Sequence, residues 1–243
     1  MGEWWLWQRR RGHRTSTDDV VVAARAAALC AGGRPASYLD IGCGVGSVLL
    51  LTAHALRPGR TVGVEAQGQS VALLRRTLGE LPDAPPIEVI HGDLRDADLA
   101  RLGTFDLVTG SPPYFPVGTG VLPPDPQRQA CRFELRGGVE AYAGAMGRLL
   151  TPDGTGVLVA QTALAGRVER GAAMSGLSIR SRLDLWMRED RTEPFLTVFE
   201  LRREPGECVV ETLAVRAASG AITSGYASLR ARVGLTTGDP VQG

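Results

Sequence analysis

The segment Asp106-Leu107-Val108-Thr109-Gly110-Ser111-Pro112-Pro113-Tyr114-Phe115 joins an apolar run to side chains suited to holding a flat amino group. Two consecutive prolines fix φ and carry no N–H, so the carbonyls around them lack a local donor. Ser111 adds a hydroxyl acceptor, and Tyr114 offers a ring face on which a planar group can stack. An exocyclic NH2 of a base, or a carboxamide NH2, is the donor such a cluster would take. Taken alone, the same residues also make a plain Pro-Pro turn after a strand, with Tyr114 as an aromatic staple.

The residues upstream weigh against the plain turn. Ser37 to Leu50 reads as a buried strand, a glycine-rich turn and the start of an amphipathic helix, with Gly42, Gly44 and Gly46 at alternate positions. Such glycines let the backbone turn tightly and approach a ligand with no Cβ in the way. The dinucleotide fingerprint would need a third glycine one residue later, where Ser47 stands. A second apolar run, Thr61 to Val64, ends in Glu65, about 20 residues past the loop, the usual place for a carboxylate that receives a ribose diol. A third, Ile87 to Ile90, leads into His91-Gly92-Asp93, another carboxylate at a strand end. Glycine loop, Glu65, Asp93 and the Pro-Pro turn, each at the C-terminal end of a strand, point to one ligand crevice.

In this order the residues resemble the class I S-adenosylmethionine-dependent methyltransferases, from about Ser37 to Ala160. The resemblance implies S-adenosylmethionine as cofactor, its methionine part cradled by Asp40 to Gly46, its ribose hydroxyls held by Glu65 and its adenine amino group by Asp93. Ser111-Pro112-Pro113-Tyr114 matches the [Asn/Asp/Ser]-Pro-Pro-[Tyr/Phe/Trp] signature of enzymes that methylate planar nitrogens, which makes these four the expected catalytic residues. The flanks are similar to bacterial tRNA adenine-N(6) methyltransferases, which modify an adenosine beside the anticodon of a valine tRNA. Trp7 to Val20 resembles that family's Gln-x-x-x-Gly-Tyr-Arg-Phe-x-Thr-Asp segment, Cys131 to Leu135 its Arg-x-Glu segment, and Leu213 to Arg216 with Gly220 and Tyr226 its C-terminal end. The resemblance implies a tRNA or other RNA substrate. Two positions depart from it: Ser111 replaces the usual Asn, a shorter acceptor, and His13 replaces the usual Tyr. A guanine amine of rRNA, a protein glutamine, a small-molecule amine or a non-catalytic role as an RNA-binding partner remain as alternatives.

Strand and helix patterns alternate along the chain, so the elements that must position these residues form an α/β fold, a mostly parallel sheet with helices on both faces. The apolar runs at 38–42, 61–64, 87–90 and 105–109 read as strands buried on both sides. Runs at 154–161, 177–187 and 194–201 bring the sheet to seven strands, the class I methyltransferase (Rossmann-like) arrangement. Residues 1–34 are expected to be an N-terminal segment and helix packing over the cofactor site, 35–204 the catalytic core, and 205–243 an extension of the same domain. Thr17 is expected to cap a helix through Leu29, and by the resemblance that segment leans over the methionine end of the cofactor. Loop 114–136, rich in Gly and Pro, shows no period and reads as a lid or substrate flap in which Arg128, Arg132 and Glu134 could help hold a nucleotide.

A chain of 243 residues with 44% hydrophobic residues can bury one core. It shows no internal repeat, no transmembrane run and no signal-peptide pattern, Glu3 among the tryptophans being a poor secretion signal, so the cytoplasm is expected. The four cysteines and three histidines have neither disulfide nor metal spacing, and no metal site is expected. Net charge is +1, far from the strongly basic footprint of many nucleic-acid binders, and all 27 basic residues are arginine. Several cluster at the start: Trp4, Trp5 and Trp7 precede Arg9, Arg10, Arg11 and Arg14. Rings beside guanidiniums suit base stacking and phosphate contact, or else the tryptophans dock on the domain while the arginines face water. Arg9, Arg10, Arg132 and Phe115 are the expected substrate contacts.

Overall fold

In the computed structural model, residues 4–236 are described; Glu3 and the last residues of the C-terminal extension lie outside them. The first half alternates α1 (Thr17–Leu29), β1 (Ser37–Ile41), α2 (Ser47–Leu56), β2 (Arg60–Glu65), α3 (Gly68–Glu80), β3 (Ile87–His91) and β4 (Phe105–Gly110). The second half runs through α4 (Pro126–Arg132), α5 (Val139–Leu149), β5 (Leu150–Gln161), α6 (Ala165–Met174), β6 (Ser178–Arg188), β7 (Leu196–Arg202), β8 (Val209–Arg216) and α7 (Ser224–Arg232). The strands form one sheet in the order β3-β2-β1-β4-β5-β7-β6-β8. All neighbours pair in parallel except β7, which runs against both β5 and β6. This is the expected Rossmann-like methyltransferase architecture, with β8 added to the seven strands read from the sequence.

The period of two along each strand divides the core. Tyr38 and Leu107 point to one face, where they pack with α1, α2 and Leu74 of α3. Leu39, Ile41 and Val108 point to the other, against Val139, Tyr142, Met146 and Leu149 of α5 and Val168 of α6. Both sets are fully buried or nearly so, each aliphatic side chain contributing about 1.5–3 kcal/mol of transfer free energy. β3 departs from the expectation of burial on both faces: it is an edge strand, and its residues are half-buried or exposed.

The strand order reverses beside β1, which sits between β2 and β4. In open parallel sheets such a switch point opens a crevice outside the carboxyl ends of the strands. The glycine loop follows β1, and the Ser-Pro-Pro-Tyr turn follows β4, directly across it.

Candidate active site

The crevice floor is set by the glycine loop. Gly42, Gly44 and Gly46 all have positive φ (67°, 57° and 97°), which residues with a Cβ adopt only under strain. A Cβ on Gly42 would lie 2.2 Å from the Tyr142 hydroxyl, and one on Gly46 2.5 Å from Leu74. At Gly44 the same position is open space, and Gly44 lines the crevice. Gly42 and Gly46 therefore let the loop lie close on its supports, while Gly44 presents bare backbone to a ligand. Cys43 is buried, small, and packed toward Gly63, a spacer in the loop as expected.

Three carboxylates face this floor. Asp40, at 2% exposure, accepts a hydrogen bond from Thr109 Oγ1 at 2.7 Å through Oδ1, while its Oδ2 has no partner. Burial pushes its carboxyl up to about 7, against the Thr109 bond. Glu65 takes the Gly44 N–H at 2.9 Å on one oxygen and the Gln67 N–H at 2.6 Å on the other. Burial raises its pKa, with those two N–H groups opposing, and each oxygen keeps a lone pair for a hydroxyl donor. Asp93 is gripped by Arg95, whose Nη2 lies 2.7 Å away, and this partner lowers its pKa. An orphaned carboxylate oxygen, a glycine opening and a diol-ready carboxylate fit the cationic amino acid and the ribose of S-adenosylmethionine.

Across the crevice, Ser111 and Pro113 line the wall. Ser111 Oγ is buried with no described partner, an acceptor left available. Pro112 is buried behind them. Tyr114 is not part of the lining: its ring is half-buried, and its hydroxyl donates to Asp18. Phe115 packs against Phe133 with centroids 5.6 Å apart and lies under the Arg132 guanidinium, 5.4 Å from the ring centre.

The N-terminal segment lies over the site. Ser16, not Thr17, precedes the first turn of α1, and its N–H donates to Asp19 Oδ2 at 2.9 Å. The cap shifts because Asp19, three residues on, reciprocates with Ser16 and not with Thr17. Asp19, rather than Thr17, reaches the crevice, and burial, reinforced by the charge of Asp18, holds its pKa well above the carboxylate range. Both readings of the tryptophans find a place: Trp4 packs edge-on to His54, and Trp7 Nε1 donates to Glu80 at 2.7 Å. Arg9 forms an ion pair with Asp125 at 2.6 Å, while Arg10 and Arg11 face solvent. His13 reaches the crevice, where its packed surroundings lower its pKa.

Loop 114–136 is not structureless. Asp125 caps α4 by accepting the Arg128 N–H at 3.0 Å, with Pro126 in the first turn. α4 brings Ala130 and Cys131 over the crevice. Glu134 does not face it: both its oxygens are held by Arg167 at 2.8 and 2.9 Å. Tyr142, Asp19, Gln67 and Arg136 complete the lining without having been singled out in the sequence. Among the described residues, no group of His, Cys, Asp and Glu is arranged to hold a metal ion.

Residues 39–117 match the model of a methyltransferase domain. The chain is 31% identical over 149 residues to a tRNA1(Val) (adenine(37)-N6)-methyltransferase of Porphyromonas gingivalis, a match that covers 60% of this chain and 58% of that relative. It is 25% identical over 193 residues to the protein of the same name in Yersinia enterocolitica, covering 79% of this chain and 75% of the relative. Its fold superposes with a TM-score of 0.61 on a predicted O-methyltransferase from Agrobacterium tumefaciens, 17% identical, over 90% of this chain and 97% of that one. Sheet order, crevice and sequence agree: the chain carries a class I S-adenosylmethionine-dependent methyltransferase domain, similar to those of bacterial tRNA adenine-N6 methyltransferases.

Proposed function

We propose that this protein transfers a methyl group from S-adenosylmethionine to an exocyclic amine, and that the amine is adenine N6 in a tRNA. The observation that carries the reading is Ser111 Oγ, a buried and unpartnered acceptor in the wall of the cofactor crevice. The similarity to tRNA adenine-N6 methyltransferases supports the substrate.

Bound S-adenosylmethionine supplies a methyl group on a positively charged sulfur, already a strong electrophile. The protein's contribution is then position and electrostatics. Asp40 and Asp19 would hold the cationic methionine end beside the backbone of Gly42 to Gly46, Glu65 would accept from the ribose hydroxyls, and Asp93 from the adenine amino group. On the other wall, Ser111 Oγ and the Pro112 carbonyl would accept from the two N–H bonds of the target amine. Those bonds turn its lone pair out of conjugation with the ring, which is the weak point of an aromatic amine as nucleophile. Tyr114 would stack on the base once it is splayed from its loop. The methylated nitrogen is acidic enough to lose its proton to water, so no strong base is needed.

Incubation with methyl-deuterated S-adenosylmethionine and total RNA, followed by nucleoside mass spectrometry, tests this. Deuterated N6-methyladenosine that disappears in Tyr114→Ala is expected, with cofactor affinity retained in the variant. No labelled nucleoside from a wild-type protein that binds the cofactor would overturn the RNA reading. Label that then survives nuclease and not protease would select a protein amide.

A further inference from the structure

Tyr114 is tied at its hydroxyl as well as packed at its ring. The hydroxyl donates to Asp18 Oδ2 in the first turn of α1, and the other carboxylate oxygen accepts from the Ser16 hydroxyl. The ring packs against the apolar cluster on the α1 side of the sheet. A side chain that served only as a stacking surface would need no hydroxyl, and phenylalanine would do as well. A phenol donating to a carboxylate makes one of the stronger hydrogen bonds. Held at both ends, the ring has a fixed tilt relative to the turn that carries Ser111. One residue on, Asp19 lines the cofactor crevice, so a single turn of helix reaches both halves of the site.

We propose that Asp18 is a positioning residue for methyl transfer, holding Tyr114 by its hydroxyl so that a base stacked on the ring stays in line with Ser111. The inference rests on the amine-transfer reading above and adds to it a residue that touches neither cofactor nor substrate. It makes the tyrosine specific: of the three aromatic residues that such a turn admits, only tyrosine can take this anchor.

The test is steady-state methylation of tRNA by Tyr114→Phe, Asp18→Ala and the double variant, with cofactor affinity and melting temperature measured on each. Each single change is expected to lower kcat about tenfold with cofactor affinity unchanged, and the double variant to be no worse than either, because both remove one interaction. Asp18→Asn keeps an acceptor oxygen and should fall between Asp18→Ala and wild type, which also covers the case of Asp18→Ala failing to fold. Full activity in Tyr114→Phe, or losses that multiply to about a hundredfold in the double variant, would overturn the proposal while leaving amine transfer intact. Absence of transfer by the wild type would instead remove the substrate reading, and the inference with it.

Discussion

Asp40 sits with one oxygen bonded to Thr109 and the other bare, its carboxyl held up to about 7 by burial. The folded protein thus binds a proton that the unfolded chain gives up near the ordinary carboxylate pKa. Stability contributed by this group is present below that value and is lost as pH rises toward 7. Asp40→Asn should therefore raise the melting temperature of the ligand-free protein by about 2–4 °C at about pH 8, for about 1 kcal/mol of relief, and change little at about pH 5. The same substitution removes the charge facing the methionine end, and calorimetry should show cofactor affinity reduced about tenfold. Ser111→Ala separates the other wall: kcat should fall about tenfold while the cofactor dissociation constant holds, since only the amine loses an acceptor. The glycines and Glu65 were legible in the sequence because a tight turn and a strand end demand particular residue types. Tyr142 and Asp19 were not. They arrive from α5 and α1, far along the chain, and nothing beside them in sequence distinguishes them from ordinary helix residues.

Among the elements, α4 is the instructive case. Its glycine- and proline-rich surroundings read as a loop, yet Asp125 followed by Pro126 is a helix start, with a capping carboxylate and a residue preset for the first turn. The short helix that follows has too few residues to show a period. Its position is fixed by ties from elsewhere: Asp125 to Arg9 on the N-terminal arm, and Gln127 to Ser70 of α3 at 3.3 Å. Arm and α4 together roof the cofactor crevice, with His13 from one and Cys131 from the other. Asp125→Ala removes the helix cap and the partner of Arg9 at once. Stopped-flow measurement should find cofactor dissociation accelerated several-fold, with the melting temperature little changed, because these are surface contacts of a peripheral helix. The sheet itself was far more legible. Short apolar runs bounded by turns located every strand of the switch point, and β8 escaped because its half-exposed residues carry no such run.

For the molecule as a whole, the low net charge hides an uneven distribution. Arg10, Arg11, Arg132 and Arg136 are exposed along the arm and around the crevice mouth. If phosphates bind there, the KM for RNA should climb steeply between about 50 and about 200 mM salt while cofactor affinity stays level, and neutralising Arg10 or Arg11 should flatten the salt slope by about one unit each. A slope unchanged by both substitutions would move the RNA path away from the arm. Among the described residues no helix is long and apolar enough to cross a membrane. The site's walls are also unequal in what supports them. α1 leans on α7, whose Tyr226 joins the same apolar cluster as Val20 to Ala24. During synthesis the strands bearing the glycine loop, Glu65, Asp93 and Ser111 leave the ribosome well before residues 224–232 do. Until then the turn that carries Asp18 and Asp19 has no buttress, and the nascent chain holds a crevice with one loose wall. The finished site arrives with α7, not with the last of its own residues.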